Sequence, residues 1–329
     1  MVSPDFPATP EGRHCGGPLV SQEKNFEDGS PVPPPWHLVE AAAKAALAED
    51  LGLSGDVTTA ALVDQDASGR GLLVFRYPGV LAGTWTTEAV CSQFDLTVKW
   101  RAGEGEALDA GDVAGEIEGL LPDLLVAERT VLNFLSHLSG IATCTRAFVE
   151  TVATVDIFPT IIRDTRKTAP GLRALEKAAV RAGGGRNHRM GLFDAILVKD
   201  NHLAALRKGH QTDDFVSVID RCGTKFPGLP IEIEVDTIAQ AEAAATAGAD
   251  LLLLDNMTPE QVSQVVKRIG GEVPIEVSGG VTLENVADYA AAGAHYIAVG
   301  AITHSAAALD IGLDFADTGQ GFFDEFDPR

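Results

Sequence analysis

The chain has 329 residues, 45% of them hydrophobic, with 47 Asp and Glu against 25 Lys and Arg for a formal net charge of -22. This length and apolar share are enough for two domains or one large α/β barrel. The acidity repels phosphate backbones and excludes a general nucleic-acid or membrane-surface role, so an anionic ligand must be captured by a local concentration of cations.

Residues 1–35 hold eight of the 17 prolines with several Gly, Ser and Asp. They are expected to form a disordered tail, which puts the first folded element near Trp36. The start of the chain lacks the basic-then-apolar order of a signal peptide, and no apolar run approaches the roughly 20 residues that cross a bilayer. Cys15, Cys91, Cys144 and Cys222 show no CxxC spacing, so neither a zinc site nor a disulfide framework is expected, which fits a reducing cytoplasm.

"WHLVEAAAKAALAED", from Trp36, has the alanine-rich character of a helix. Next come a strand and turn in "GLLVFRYPGVLAG", a helix in "TWTTEAVCSQF", and short strands joined by glycine turns in "LTVKWRAGEGEALDAGDVAGEIEG". Leu121 to Val155 reads as long helical structure, with Leu125, Leu132, Leu135 and Leu138 near helical spacing. From Asp156 the rhythm changes to "DIFPTIIRD", "AILVKDNH", "IEIEVD", "LLLLDN", "IEVSGG" and "YIAVGAITHS", short apolar runs with polar endings. Helical segments separate them, and the last four start some 20 to 24 residues apart. Such repetition demands parallel strands with right-handed crossovers, hence a β/α barrel, here short of eight full units. The expected division is a tail over 1–35, an N-terminal domain over 36–150, a barrel over 151–315 and a second tail over 316–329.

In a barrel of this kind the site lies at the carboxyl ends of the strands. The candidates there are Arg163 and Asp164, Lys199 and Asp200, Glu234 and Asp236, Asp255 and Asn256, Ser278 with Gly279 and Gly280, and Gly300 with Thr303 and His304. "SGGVTLEN" and "VGAITHSA" place glycine turns before helix starts, where backbone N–H groups and the helix dipole can cradle a phosphate. Glu234 and Asp255 belong to runs that a parallel sheet would bury, so each needs a partner. A hard cation such as Mg2+ bridging to phosphate oxygens would serve, and so would a salt bridge to Lys199 or Arg166.

Cations concentrate in one place: Arg163 to Lys199 carries nine Lys and Arg against three acids. Within it, "GLRALEKAAVRAGGG" reads as a helix that buries Leu172, Leu175 and Ala179 and stops at Gly183 to Gly185, which leaves Arg173, Lys177 and Arg181 on a solvated face. Arg166, Lys167, Arg189 and Lys199, with His188, flank that helix or sit at a strand end and can converge on a ligand bearing more than one carboxylate or phosphate. "AGGGRN" follows a helix instead of opening one, so it is no dinucleotide fingerprint. In "LLLLDN" the apolar run is followed by only one acid, and the loop is "MTPEQ", which does not fit the commoner phosphoribosyltransferase motif. "GEGEALDAGDVAGEIEG" lacks the exposed lysine of a biotinyl or lipoyl carrier.

"RDTRKTAPGLRALEKAAVRAGGGRNHRMGLFDAILVKDNH" closely resembles the signature of the quinolinate phosphoribosyltransferase family, the decarboxylating nicotinate-nucleotide pyrophosphorylases. "ERTVLNFLSHLSGIAT", "IEIEVDT", "LLLLDNM", "IEVSGG" and "VGAITHSA" match in family order, so the resemblance spans about Trp36 to Phe315. It implies an N-terminal α/β sandwich joined to an incomplete TIM-like barrel, the type II phosphoribosyltransferase fold, in a homodimer whose N-terminal domain closes the partner's barrel mouth. It also implies the reaction: quinolinate and phosphoribosyl pyrophosphate give nicotinate mononucleotide, pyrophosphate and CO2, with Mg2+. Arg129, Thr165, Arg166, His188, Arg189 and Lys199 would hold quinolinate, Arg129 from the partner subunit. Lys167, Glu234, Asp255, Ser278, Gly279, Gly280 and Gly300 would serve phosphoribosyl pyrophosphate, with Lys199, Glu234 and Asp255 nearest the chemistry. Mg2+ would be held mainly through substrate phosphates, with Glu234 and Asp255 as direct candidates. Two rivals are a paralogue that accepts another base, against which the full set of dicarboxylate cations argues, and a non-catalytic sensor of an anionic metabolite, against which Glu234 and Asp255 argue.

Overall fold

The computed structural model describes residues 32–155, 159–208, 214–271 and 273–315. Nearly all of the N-terminal tail, and the whole of 316–329, lie outside the described residues. The chain enters helix α1 (Trp36–Leu51), which buries Val39, Ala43 and Leu47 at fourfold spacing. Asp56 then caps α2 (Val57–Leu62), accepting from the backbone N–H groups of Thr58 and Thr59 at 3.0 Å.

Strands β1 (Ser68–Phe75), β3 (Thr97–Trp100) and β5 (Val113–Leu120) form one antiparallel sheet, while β2 (Gly79–Val80) pairs with β4 (Ala107–Leu108). Between them lies α3 (Thr84–Cys91), fixed by Glu104, whose carboxylate takes the Gly83 and Thr84 N–H groups at 2.9 and 3.0 Å. A single helix, α4 (Leu121–Ala153), runs from this sheet into the second half of the molecule. Pro122 occupies its first turn, where a missing N–H costs nothing. Leu124, Val131, Leu135, Leu138, Ile141 and Phe148 make its buried stripe.

The barrel strands are β6 (Ile161–Arg163), β7 (Ile196–Val198), β8 (Ile231–Val235), β9 (Leu251–Asp255), β10 (Ile275–Ser278) and β11 (Tyr296–Ala298). Among the described residues they form one six-stranded sheet in the order β6-β11-β10-β9-β8-β7, every pairing parallel. The barrel is therefore incomplete, as the strand count in the sequence suggests, with β6 and β7 at its edges. Helices α5 (Arg173–Ala182), α6 (Asp200–Lys208), α7 (Phe215–Lys225), α8 (Ile238–Thr246), α9 (Pro259–Ile269), α10 (Val286–Ala291) and α11 (Ala301–His304) follow the strands. Capping boxes start α8 at Thr237 and Gln240, and α9 at Thr258 and Gln261.

One boundary differs from the expected division. Residues 311–315, assigned by sequence to the barrel, form β12 (Ile311–Phe315), which pairs antiparallel with β1 and completes the N-terminal sheet. Gly140 makes this return possible: a Cβ there would lie 2.1 Å from the Ala307 carbonyl oxygen, so only glycine lets the returning chain press against α4. Leu309 then donates its N–H to the Ser136 carbonyl at 2.9 Å.

Candidate active site

Strand periodicity sets what enters the barrel. In β8, Ile231, Ile233 and Val235 pack outward, so Glu232 and Glu234 share the inward face. Parallel register carries that face around the sheet: Glu234 lies beside Leu253, Glu276 beside Leu253 and Tyr296, and Ser278 beside Asp255. Ala298 lies beside Arg163 on the same row. Lys199 leaves the end of β7 and pairs with the Glu234 carboxylate. This is the salt bridge to Lys199 that the sequence left open to Glu234.

The glycine turn after β10, expected from the sequence to cradle a phosphate, has a left-handed backbone. Gly279 and Gly280 both take left-handed conformations, with φ of 92° and 63°, at the end of β10. A Cβ on Gly279 would also fall 2.2 Å from Asn256 Oδ1, so this position needs glycine twice over. At the end of the neighbouring strand β11, Lys167 lies over Gly300, where a Cβ would approach its Cδ to 3.0 Å and His304 Nε2 to 3.3 Å. Thr303 donates its hydroxyl to the Lys167 carbonyl at 2.8 Å, tying the loop after β6 to α11. In the same loop Thr165 Oγ1 accepts the Lys167 N–H at 3.0 Å.

Arg166 and Arg189 come close enough to sense each other. Burial lowers the Arg189 pKa, the Arg166 charge lowers it further, and Glu232 opposes both. Arg189 donates to the Ala195 carbonyl at 3.2 Å, while Arg166 Nε is buried without a hydrogen-bond partner among the described residues. An unpaired buried guanidinium nitrogen is costly and is relieved by an anionic ligand. Arg129 lies exposed on α4. Asp236 and Asp200 are exposed, and Asp236 and Thr237 give their N–H groups to Gln240 at the cap of α8.

Both ring nitrogens of His188 are engaged within the protein. Its Nε2 faces Glu232 Oε2 at 3.0 Å and Glu276 Oε1 at 3.2 Å, and its Nδ1 accepts the Arg189 N–H at 2.7 Å. Glu276 also receives Arg163 Nη1 at 2.8 Å, and Arg163 stacks on the Tyr296 ring at 4.5 Å. Burial alone would lower the His188 pKa, but the two carboxylates outweigh it and raise it to about 9. Burial raises the Glu232 carboxyl, with Glu276 adding to the rise; burial also opposes ionisation of Glu276, yet His188 and Arg163 bring it below its ordinary value. One shared proton makes this four-residue floor electrically neutral, and the Arg189 N–H against Nδ1 places that proton on the Nε2 and carboxylate side. His188, Glu232 and Glu276 have donor types suited to a metal ion. Nε2 must carry hydrogen while Nδ1 accepts, however, so it faces the carboxylates as a donor and no cation is assigned to this cluster.

The face of α5 read as solvated is the main correction. Lys177 is fully buried and paired with Asp164, itself fully buried, and also donates to the His188 carbonyl at 3.0 Å. Asp164 further accepts Asn187 Nδ2 at 2.5 Å and the His188 N–H at 2.8 Å. Burial pushes the Asp164 carboxyl up and the Lys177 ammonium down, and these donors counter it. Arg173 bonds the Thr168 hydroxyl and the Met190 carbonyl at 3.0 and 3.2 Å, and Arg181 reaches Asn187 and the Val32 carbonyl. Three of the island's cations are thus scaffold for the segment that carries His188 and Arg189. The sequence reading also passed over Glu232 and Glu276. Their signal is an acid at an alternate position inside "IEIEVD" and "IEVS", where both faces should be buried.

Two family models match the chain: the quinolinate phosphoribosyl transferase N-terminal domain over residues 56–139 and its C-terminal domain over 141–314. The nicotinate-nucleotide pyrophosphorylase (carboxylating) of Mycobacterium leprae is 43% identical over 278 residues, 82% of this chain and 95% of that protein. A probable enzyme of the same name from Bacillus subtilis is 39% identical over 272 residues, 81% of this chain and 89% of that one. Among solved structures, the nicotinate-nucleotide pyrophosphorylase of Francisella tularensis superposes with a TM-score of 0.78 at 32% identity, covering 86% of this chain and 97% of its own. NadC from Streptococcus pyogenes gives 0.79 at 38% identity, covering 87% and 100%.

Proposed function

The chain belongs to the quinolinate phosphoribosyl transferase family, and from that premise we propose that it transfers the phosphoribosyl group to quinolinate with decarboxylation, in NAD biosynthesis. The products are nicotinate mononucleotide, pyrophosphate and CO2. The observation that carries this reading is the meeting of Lys199 with Glu234 at the barrel end that also bears Arg166, Arg189 and Asp255. A dicarboxylate and an electron-poor sugar carbon can be held there side by side.

In this reading Arg166, Arg189 and Lys199 take the two quinolinate carboxylates, with His188 and Thr165 beside them. Lys167 and the N–H groups of Ser278, Gly279, Gly280 and Gly300 take phosphate. The pyridine nitrogen lone pair forms the bond to ribose C1, and the C1–oxygen bond to pyrophosphate breaks. Positive charge develops at C1, and Glu234 and Asp255 favour it. The bond to the carboxylate next to the nitrogen then breaks. Its electron pair stays on the ring carbon, stabilised by the quaternary nitrogen, until a solvent proton arrives, and CO2 leaves. The Asp255 and Glu234 oxygens suit a hard cation, although Glu234 already pairs with Lys199, so Mg2+ would be held mostly by substrate phosphates. When bound it neutralises charge on the pyrophosphate leaving group.

We assign a homodimer in which Arg129 reaches the partner's mouth. Support comes from Leu53, Val57 and Leu62, at 108%, 64% and 80% exposure, which give the turn after α1 and helix α2 an apolar surface suited to cover. A cytoplasmic location is supported by the free thiols of Cys91, Cys144 and Cys222. Among the described residues no helix is long and apolar enough to cross a membrane.

The test is incubation with phosphoribosyl pyrophosphate and Mg2+ plus either quinolinate or nicotinate, following nicotinate mononucleotide by mass. Product from quinolinate alone is expected. Product from nicotinate instead would point to the paralogue, and ligand binding with no pyrophosphate release to a sensor.

A further inference from the structure

Asn256 is the one non-glycine among the described residues with positive φ, at 56°. Left-handed backbone disfavours a side chain, and where it persists at a site the surrounding contacts must hold it. Here the contacts are specific. Asn256 N–H donates to the Ser278 carbonyl at 2.9 Å, so the end of β9 is stitched to the end of β10. Its side-chain Nδ2 donates to Asp255 Oδ2 at 2.7 Å. A carboxylate can only accept, which fixes the amide with Oδ1 turned the other way, against the face of Gly279.

The next residue explains why the backbone must turn so sharply. Met257 is buried at 2% exposure, and its carbonyl accepts the Tyr289 hydroxyl at 3.1 Å. Thr258 then caps α9. One residue therefore separates a carboxylate at the mouth from a methionine in the core, and a left-handed turn makes that reversal.

We propose that Asn256 is a positioning residue for phosphoribosyl pyrophosphate: it aims the Asp255 carboxylate and sets the Gly279 turn relative to it, so that sugar and phosphate are gripped in one register. The inference rests on the reading above that Asp255 and Gly279 serve this substrate. In this proposal Asn256 acts through Asp255 and Gly279 and not on the reacting atoms.

The test uses full-length Asn256→Gly and Asn256→Asp variants beside the unmodified protein. Glycine accepts the backbone conformation and deletes only the amide, so its thermal melt should match the unmodified protein. Loss of a hydrogen bond to a charged group corresponds to about a 10-fold or greater fall in kcat/KM for phosphoribosyl pyrophosphate. KM for quinolinate should stay within about twofold, because that pocket is built from β6 and β7. Aspartate also tolerates this backbone but puts a carboxylate where Asp255 needs a donor, and a larger loss than with glycine is expected. A glycine variant with unchanged kcat/KM for phosphoribosyl pyrophosphate overturns the proposal. So does a loss shared equally by both substrates with a lowered melt, the mark of a merely structural residue. If the unmodified protein forms no nicotinate mononucleotide, the underlying function fails, an outcome distinct from either.

Discussion

Lys199 and Glu234 neutralise each other across the ends of β7 and β8. In the proposed reaction these two side chains have different employers, a quinolinate carboxylate and the ribose, so the pair must part as substrates enter. Lys199→Ala should lower kcat/KM for quinolinate about 100-fold, the scale for losing a charge-assisted contact. Glu234→Gln should cut kcat while leaving KM for quinolinate equal or lower, since it releases Lys199. Steady-state kinetics with each substrate varied separately check both, and a folded Lys199→Ala with normal turnover would count against the site.

The buried pair of Lys177 and Asp164 should govern stability. Lys177→Met leaves Asp164 buried and without its cation, which costs about 3–5 kcal/mol. Adding Asp164→Asn should recover part of it, because the unpaired charge is then gone. Urea unfolding of the single and double variants measures the difference.

That pair also shows where the sequence stopped being informative. The six barrel strands, their polar endings and the glycine turns were legible because a buried parallel strand is a continuous apolar run, and its end is marked by the first residues that cannot be buried. Arg173, Lys177 and Arg181 repeat at i, i+4 and i+8, which reads as a solvated stripe. The stripe is instead covered by the segment from Asn187 to Met190, which folds back over it in a tertiary contact no helical period encodes. β12 escaped for the same reason: its partner β1 lies over 230 residues earlier. Glu232 and Glu276 were visible as exceptions to the apolar runs, but their joint claim on His188 needed the register of β8 to β10.

Stability should fall as pH rises past neutrality. The floor built from Arg163, His188, Glu232 and Glu276 binds a proton in the folded state up to about 9, whereas an unfolded imidazole releases it near 6.5. A raised folded value means the contribution is fully present below about 6.5 and lost as pH climbs through about 9. Its size is on the order of 3 kcal/mol. Glu276→Gln should flatten that slope between pH 6.5 and 9, measured by denaturant unfolding across the range, whereas an unchanged slope would place the proton elsewhere.

Cys91 should resist thiol reagents. It is 1% exposed on α3, and burial, with Glu88 adding to it, pushes its thiol up to about 12. Maleimide treatment of the folded protein at neutral pH, read by peptide mass, should leave Cys91 unmodified until denaturant is added.

The central claim is that one barrel opening holds a dicarboxylate against an activated sugar and discards one carboxylate in the same turnover. Quinolinate carrying 13C in the carboxylate beside the ring nitrogen tests it most directly. Labelled CO2, pyrophosphate and nicotinate mononucleotide should appear in equal amounts. Product that retains the label, or labelled CO2 released without phosphoribosyl pyrophosphate, would contradict the account.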